Sequence, residues 1–152
     1  MKHIGIVGTR RRDSQKDYLT VSKAFWALYH PGDVIVSGGC KQGADRFAEL
    51  LAEQIKDTSR SVRIIRYLPD RGLLDPVLYA QRPRAALAKI NHARNTLIAN
   101  DSDILLACVA EDRKGGTENT IEKFRRRFPE APAGVPCTTE KQLIQQGLLV
   151  LV

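Results

Sequence analysis

Cysteine is scarce in this 152-residue chain, and long apolar runs are missing from it. The three cysteines lie far apart and form no CxxC pair, which excludes a disulfide framework and a zinc ribbon. The three histidines are equally scattered, so we expect no metal ion and no other cofactor. No apolar run approaches the roughly 20 residues that cross a bilayer, and the chain does not start with the apolar stretch of a signal peptide. We therefore expect a cytoplasmic protein without a membrane partner.

Two common phosphate-binding patterns are also missing. The chain contains neither the dinucleotide-binding pattern GxGxxG nor the Walker pattern GxxxxGK[ST]. These absences argue against a conventional NAD-dependent dehydrogenase and against a P-loop NTPase.

Positive charge is in excess. The 24 lysines and arginines outnumber the 17 aspartates and glutamates, which gives a net charge of +7. This balance indicates anionic partners without distinguishing polymers from small phosphates. The length and a hydrophobic content of 43% predict one domain with one core, and they exclude a disordered, collagenous or coiled-coil chain.

Two hydrophobic periods alternate along the chain. Short apolar runs predict strands at residues 3–7, 33–36, 62–68, 103–110 and 148–152. Helical spacing predicts helices over about 18–28, 43–55 and 86–97, after residues 115–117, and from a Thr138 cap to residue 146. The helix over 86–97 is expected to bury Ala86, Ile90, Ala93 and Leu97.

This alternation predicts an α/β fold. Apolar strands separated by amphipathic helices are typical of a Rossmann-like three-layer sandwich with a mainly parallel sheet. We expect a single domain that spans residues 1–152. Residues 69–83 interrupt both periods and predict a long loop, which is either a lid or an ordered surface excursion.

Small, glycine-rich turns follow three of the predicted strands. Parallel sheets bind ligands beyond the carboxyl ends of their strands, where the strand order reverses. Helix N-termini there present unpaired N–H groups, and glycine lets a phosphate approach closely. Arg10 adds a bidentate donor for a phosphate or carboxylate. The turns are Gly8-Thr9-Arg10, Ser37-Gly38-Gly39 with Gly43-Ala44-Asp45, and Gly115-Gly116-Thr117-Glu118.

Each of these features also has a purely structural interpretation. A glycine after a strand often only permits a tight turn. Thr117 can be an N-cap, Glu118 suits the helix dipole, and the arginines at 10–12 can form a solvated charged surface. For Asp45 we favour support of a helix N-terminus over acceptance of a ribose hydroxyl, and we expect Cys40 to be a small buried residue. The coincidence of three turns at one edge is what favours a ligand site.

Taken in order, these segments resemble the SLOG superfamily. The chain carries a Gly-Thr-Arg turn, a Ser-Gly-Gly stretch followed by Gly-Ala-Asp, the pair Arg94-Asn95, and a helix that starts at a Gly-Thr step. The superfamily includes the Smf/DprA DNA-processing proteins, the Lonely Guy (LOG) phosphoribohydrolases and the short YspA-like nucleotide-ligand domains. The YspA-like pattern is the most similar, and the resemblance extends from about residue 3 to residue 128.

The resemblance implies a nucleotide pocket. The first glycine turn would form one wall and the second turn another, the Arg-Asn pair would reach in from a helix, and the third turn would hold a phosphate. The implied ligand-binding residues are Gly8, Thr9, Arg10, Ser37, Gly38, Gly39, Gly43, Asp45, Arg94, Asn95, Gly115, Gly116 and Thr117.

An enzymatic alternative stays open. Lonely Guy phosphoribohydrolases carry PGGxGTxEE, whose paired glutamates align with Asn119 and Thr120 of this chain. Cleavage of an N-glycosidic bond needs a carboxylate near the ribose. A LOG-like nucleoside 5′-monophosphate phosphoribohydrolase would therefore have to use Arg94 with Glu118 or Glu122.

Three functions thus compete. The first is a module that binds a nucleotide or nucleotide derivative as a sensor, carrier or sequestering protein. The second is the phosphoribohydrolase, and the third is a DprA-like nucleic-acid binder, which the net charge suggests. The four Phe and four Tyr show no interleaving with the arginines, which argues against the third. The apolar run at 148–152 predicts a homodimer or higher homo-oligomer.

Overall fold

The computed structural model describes residues 1–58, 61–128 and 147–152. The strands are β1 (His3–Gly8), β2 (Val34–Ser37), β3 (Arg63–Arg66), β4 (Ile104–Cys108) and β5 (Leu148–Leu151). The helices are α1 (Gln15–Leu28), α2 (Ala44–Asp57), α3 (Pro76–Gln81), α4 (Pro83–Asp101) and α5 (Gly116–Arg127), with a 3₁₀ turn at Arg71–Leu73. The helix predicted to run from Thr138 to residue 146 lies outside the described residues.

The strands form one sheet in the order β3-β2-β1-β4-β5, and every neighbouring pair is parallel. The central strand β1 pairs on both sides, so that Ile4 lies opposite Ile35 of β2 and Ile104 of β4. The chain first builds the sheet outward from β1 to β3 and then returns to add β4 on the other side of β1. This reversal confirms the predicted Rossmann-like α/β class, and it places the topological switch point between β1 and β4.

Two apolar clusters pack against opposite faces of the sheet. Successive side chains of a strand point to opposite faces, so Ile4 and Ile6 of β1 join one cluster while Val7 joins the other. Helices α1 and α2 supply Phe25 and Phe47 to the first cluster. Helices α4 and α5 supply the second cluster with Ile98, Ala99, Ile121 and Phe124. The result is a helix-sheet-helix sandwich, as the alternating periods predict.

The prediction of a long loop over 69–83 is wrong, because this segment contains the 3₁₀ turn and α3 and ends at the start of α4. Asp75 caps α3 by accepting hydrogen bonds from Val77 N and Leu78 N, both at 3.0 Å, and Pro76 occupies the first turn. No residue of α3 is buried. A helix without a buried face leaves no apolar period in the sequence, so the pattern cannot reveal it.

The buried face predicted for α4 is only partly correct. Ala86 and Ile90 are buried, whereas Ala93 is exposed and Leu97 is 50% exposed. In the second half of the helix the buried residues are instead Asn95, Ile98 and Ala99. The buried face therefore rotates along the helix, which a single helical period does not describe. None of the helices in the described ranges is long and apolar enough to cross a membrane.

Candidate functional site

A pocket of about 730 Å³ opens at the carboxyl edge of the sheet. Its lining includes Val7 and Gly8 at the end of β1 and the first turn of α5, which follows β4. It therefore lies at the switch point, where parallel α/β sheets bind ligands, and its volume is typical of small-molecule sites. Helix α4 and the turn between β2 and α2 complete the walls.

Nine of the thirteen predicted ligand-binding residues line this pocket. The nine come from all four predicted segments, which the fold brings to one edge of the sheet. They are Gly8, Thr9, Arg10, Asp45, Arg94, Asn95, Gly115, Gly116 and Thr117. The other four are not among the lining residues; they are Ser37 at the end of β2, and Gly38, Gly39 and Gly43 in the turn between β2 and α2.

The amino terminus of α5 faces the pocket. Its N-cap, Gly115, has φ of 110°, a conformation that favours glycine over residues with a side chain. No side chain among the described residues caps this helix. The N–H groups of its first turn and the positive end of its dipole are therefore directed at the pocket, which is a suitable arrangement for an anion.

The three consecutive arginines after β1 have three different environments. Arg12 donates to Asp17 at 2.8 Å and to the carbonyl oxygens of Val109 and Val152, so it holds loop segments together. Arg11 makes a bidentate ion pair with Asp112, at 2.9 and 2.8 Å, and its hydrogen bonds lower the pKa of that carboxyl. Arg10 is exposed, lines the pocket, and has no hydrogen bond or ion pair with any residue that the structure describes. Only Arg10 has its whole guanidinium available for a ligand.

The β2–α2 turn is organised around the carboxylate of Asp45, which is only 8% exposed. One oxygen accepts from Gly38 N at 2.9 Å and from the Ser37 hydroxyl at 3.3 Å, and the other accepts from Cys40 N at 3.3 Å. Burial raises the pKa of Asp45, and these hydrogen bonds together with the nearby Arg94 charge oppose that rise. These contacts are structural, since they use both carboxylate oxygens inside the protein, but they hold the turn before α2 and not the helix N-terminus that the sequence predicts for Asp45.

A second contact joins this turn to the turn after β1. Gly43, the N-cap of α2, has φ of 67°, and a Cβ built on it would lie 2.7 Å from the carbonyl oxygen of Thr9. Its N–H donates to Asp13 at 2.8 Å, and Asp13 also accepts from Arg46 at 2.9 Å. Gly43 thus serves the close packing of two turns, and its own N–H is bound by Asp13.

Arg94 and Asn95 connect α4 to the two other walls. Arg94 donates to the Gly38 carbonyl oxygen at 3.4 Å, while its buried Nε has no partner in the part of the chain that the structure describes. Asn95 is 2% exposed and donates to the Gly116 carbonyl oxygen at 3.2 Å. It also donates to the Asn119 side chain and accepts from Arg94, both at 3.3 Å. Asn95 therefore positions the first turn of α5, and Arg94 retains donors for a ligand.

The two carboxylates that a hydrolase would need are both engaged with arginines. Glu118 and Glu122 line the pocket. Glu118 forms a bidentate pair with Arg113, with one distance of 2.9 Å, and Glu122 pairs with Arg126 one turn along α5. Arg113 itself has a positive φ of 50°. Neither carboxylate lies free against the wall where Arg10 and the start of α5 meet.

Seven polar side chains of the pocket lie outside the predicted set, namely Arg11, Gln42, Asn91, His92, Lys114, Asn119 and Thr120. Lys114 directly precedes Gly115, so its position beside a glycine turn could have predicted that it lines the pocket. Asn91 lies one helical turn before Asn95 and shares its face of α4. The place of Gln42 and His92 in the pocket could not be predicted from the sequence, because a local pattern does not show which exposed residues of separate elements lie close together.

In residues 1–58, 61–128 and 147–152, no three His, Cys, Asp or Glu side chains are grouped as metal ligands would be. Comparisons of the chain with protein-family models, with curated proteins and with solved structures find no match. Fold and site thus define a class, an α/β protein with a five-stranded parallel sheet and a cationic pocket at its switch point.

Proposed function

We propose that this protein binds a nucleotide, or a phosphorylated nucleotide derivative, in the switch-point pocket, and that it acts as a sensor, carrier or sequestering module of the SLOG kind. The observation that carries the proposal is that Arg10, which is exposed and has no partner among the described residues, lines the same pocket as the amino terminus of α5. A charged fork and a row of backbone N–H groups together suit a phosphate. The predicted YspA-like motifs support the same assignment.

The charges around the pocket support an anionic ligand. Arg10 and Lys114 contribute ammonium or guanidinium groups that have no side-chain partner among the described residues, and Arg94 keeps a buried Nε without one. Each acidic side chain of the lining has an arginine beside it, since the charge of Arg94 acts on Asp45 and the two glutamates pair with Arg113 and Arg126. The field in the pocket is therefore positive, which attracts phosphates.

Calorimetric titration of the purified chain with AMP and with ribose 5-phosphate tests the proposal. The variant Arg10→Ala should bind AMP more weakly by about 1.5–3 kcal/mol, or about 10- to 150-fold, because it loses a charge-assisted hydrogen bond. The control is Arg63→Ala, which removes the same charge from an exposed position at the start of β3, the opposite edge of the sheet. Equal affinities of the two variants would remove Arg10 from the site.

The phosphoribohydrolase is a second candidate, which the presence of Glu118 and Glu122 in the pocket lining favours. Because both carboxylates are paired with arginines, we expect binding of AMP without release of adenine. Loss of one well-placed catalytic group commonly costs two to four orders of magnitude in rate. The test is chromatographic measurement of free base after incubation with nucleoside monophosphates. Multiple turnovers that Arg94→Ala abolishes would establish the hydrolase.

We also propose that the protein forms a homodimer or higher homo-oligomer. The support is that β5 is an edge strand of the sheet, and exposed backbone groups of such a strand can pair with a second chain. Sedimentation equilibrium measures the mass in solution, and a monomer at all concentrations tested would contradict this proposal.

A further inference from the structure

The switch-point pocket has two parts that differ in chemistry. The first part, with Arg10, Lys114 and the start of α5, carries the positive charge described above. The second part consists of Cys40 and Gln42 from the β2–α2 turn and Ala88, Asn91 and His92 from α4. None of these five side chains carries a permanent charge, and the charges of Arg94 and Asp45 on the same two walls oppose each other, so the second part does not favour another phosphate.

The second part lies between two walls that the fold holds at a fixed spacing. Arg94 contacts the Gly38 carbonyl oxygen in the β2–α2 turn, and Asn95 contacts Gly116 at the start of α5. Asn91 precedes these two residues by one turn of α4, so it is located by the same contacts. Gln42 extends from the other wall, directly before the tightly packed Gly43.

The side chains of Gln42, Asn91 and His92 have unused hydrogen-bonding capacity. Within the described part of the chain, none of the three side chains makes a hydrogen bond or ion pair. Asn95, on the same face of α4, differs because its amide is fully used in holding α5. A free carboxamide places an acceptor beside two donors. That arrangement matches a heterocycle edge with a neighbouring donor and acceptor, as in the pairing of Asn or Gln with a base.

We infer that Gln42 and Asn91, with His92 beside them, form a nucleobase subsite that determines which nucleotide this pocket accepts. The inference rests on the proposed function, because it takes the phosphate to lie at Arg10 and the start of α5. The two carboxamides hydrogen bond to the edge of the base, and the imidazole of His92 provides a planar face against which a ring stacks. The phosphate contacts then give an affinity that is common to all nucleotides, while the carboxamides determine how the affinity differs from one base to another.

The experiment compares AMP, GMP, CMP and UMP with ribose 5-phosphate, which has the phosphate and sugar without a base. The variants are Asn91→Leu and Gln42→Met, which keep side-chain size and remove the amide. Matched controls are Asn100→Leu and Gln81→Met, because both amides are exposed and lie outside the pocket. Calorimetry gives the affinities at one salt concentration, and thermal melting checks that each variant is folded.

We expect the unaltered protein to bind at least one of the nucleotides about tenfold or more tightly than ribose 5-phosphate. Each pocket variant should lose about tenfold in affinity for that nucleotide, while its affinity for ribose 5-phosphate stays within about twofold. The control variants should change neither affinity.

Two results overturn the subsite and leave the proposed function in place. One is equal binding of ribose 5-phosphate and all four nucleotides, and the other is an equal loss for nucleotide and ribose 5-phosphate in the pocket variants. A different result, in which none of the five compounds binds the unaltered protein, overturns both the subsite and the proposed function.

Discussion

Replacement of Asp45 by Asn is the sharpest test of how the β2–α2 turn is held. The carboxylate accepts hydrogen bonds from two backbone N–H groups through different oxygens, from Gly38 at 2.9 Å and from Cys40 at 3.3 Å. An asparagine in the same place keeps one oxygen and turns an NH₂ group toward the other N–H. Two donors then face each other in a position that is 8% exposed.

The expected cost follows from two opposing effects. A buried donor that loses its acceptor destabilises the folded state by about 1–3 kcal/mol. The variant also removes a carboxylate whose burial is unfavourable, which is why the pKa of Asp45 is raised, and this offsets part of the loss. A net loss of about 1.5 kcal/mol lowers Tm by about 3–6 °C in a domain of this size.

The assay is thermal unfolding followed by circular dichroism, together with AMP titration at a temperature where the variant is folded. Asp57→Asn is the matched control, because Asp57 is exposed at the end of the same helix and its change should shift stability by no more than about 0.5 kcal/mol. We expect Asp45→Asn to retain AMP binding within about tenfold, since its oxygens are used inside the protein. An unchanged Tm with complete loss of AMP binding would refute the structural role and make Asp45 a ligand contact.

Two further predictions concern stability. The raised pKa of Asp45 means that this group binds a proton more tightly in the folded state than in the unfolded state. Its contribution to stability is therefore fully present below its ordinary pKa of 3.8. That contribution is lost as the pH rises through the pKa of the folded state. The difference in Tm between the unaltered protein and Asp45→Asn should therefore shrink from pH 4 toward pH 7, and a difference that grows over this range contradicts the argument. Gly43→Ala should lower the free energy of unfolding in urea by about 1–3 kcal/mol more than Gly32→Ala does. Both glycines have positive φ, but only at Gly43 would a Cβ lie 2.7 Å from a backbone atom. Equal effects of the two variants would exclude this crowding as the cause.

The elements that sequence analysis predicted correctly are those whose burial leaves a period in the sequence. β1 is buried on both faces and appears as a short apolar run, and α2 buries one continuous face with Phe47, Leu51 and Ile55. The strand predicted at 62–68 is shorter in the structure, at Arg63–Arg66, because it lies at the sheet edge and is only partly buried. Edge strands have weaker patterns, since fewer of their residues are enclosed.

The location of the site was predictable from the sequence, but the different roles of its residues were not. Glycine turns after strands must meet at one edge of a parallel sheet, and this geometry is enough to bring Arg10, Asp45 and Gly115 together. Arg94 lies within α4, and only the family resemblance implied its place in the site. In contrast, the sequence presents Arg10 and its two following arginines as equivalent. Only their three-dimensional partners, Asp112 for Arg11 and Asp17 for Arg12, separate the one free guanidinium from the two that stabilise loops.

The pairing of the acidic side chains is the reason why we propose capture of a nucleotide and not its cleavage. A carboxylate that assists departure of a base acts beside the ribose, where positive charge develops in the transition state. Glu118 is held by two hydrogen bonds from Arg113, and the charged side chains of the lining that have no partner at all among the described residues are the positive ones of Arg10 and Lys114. Under the proposed function, these groups stabilise a phosphate in the ground state and offer no matching stabilisation to the positive charge that would develop on the sugar. Interactions that do not strengthen in the transition state give affinity without turnover, which is the behaviour of a binding protein.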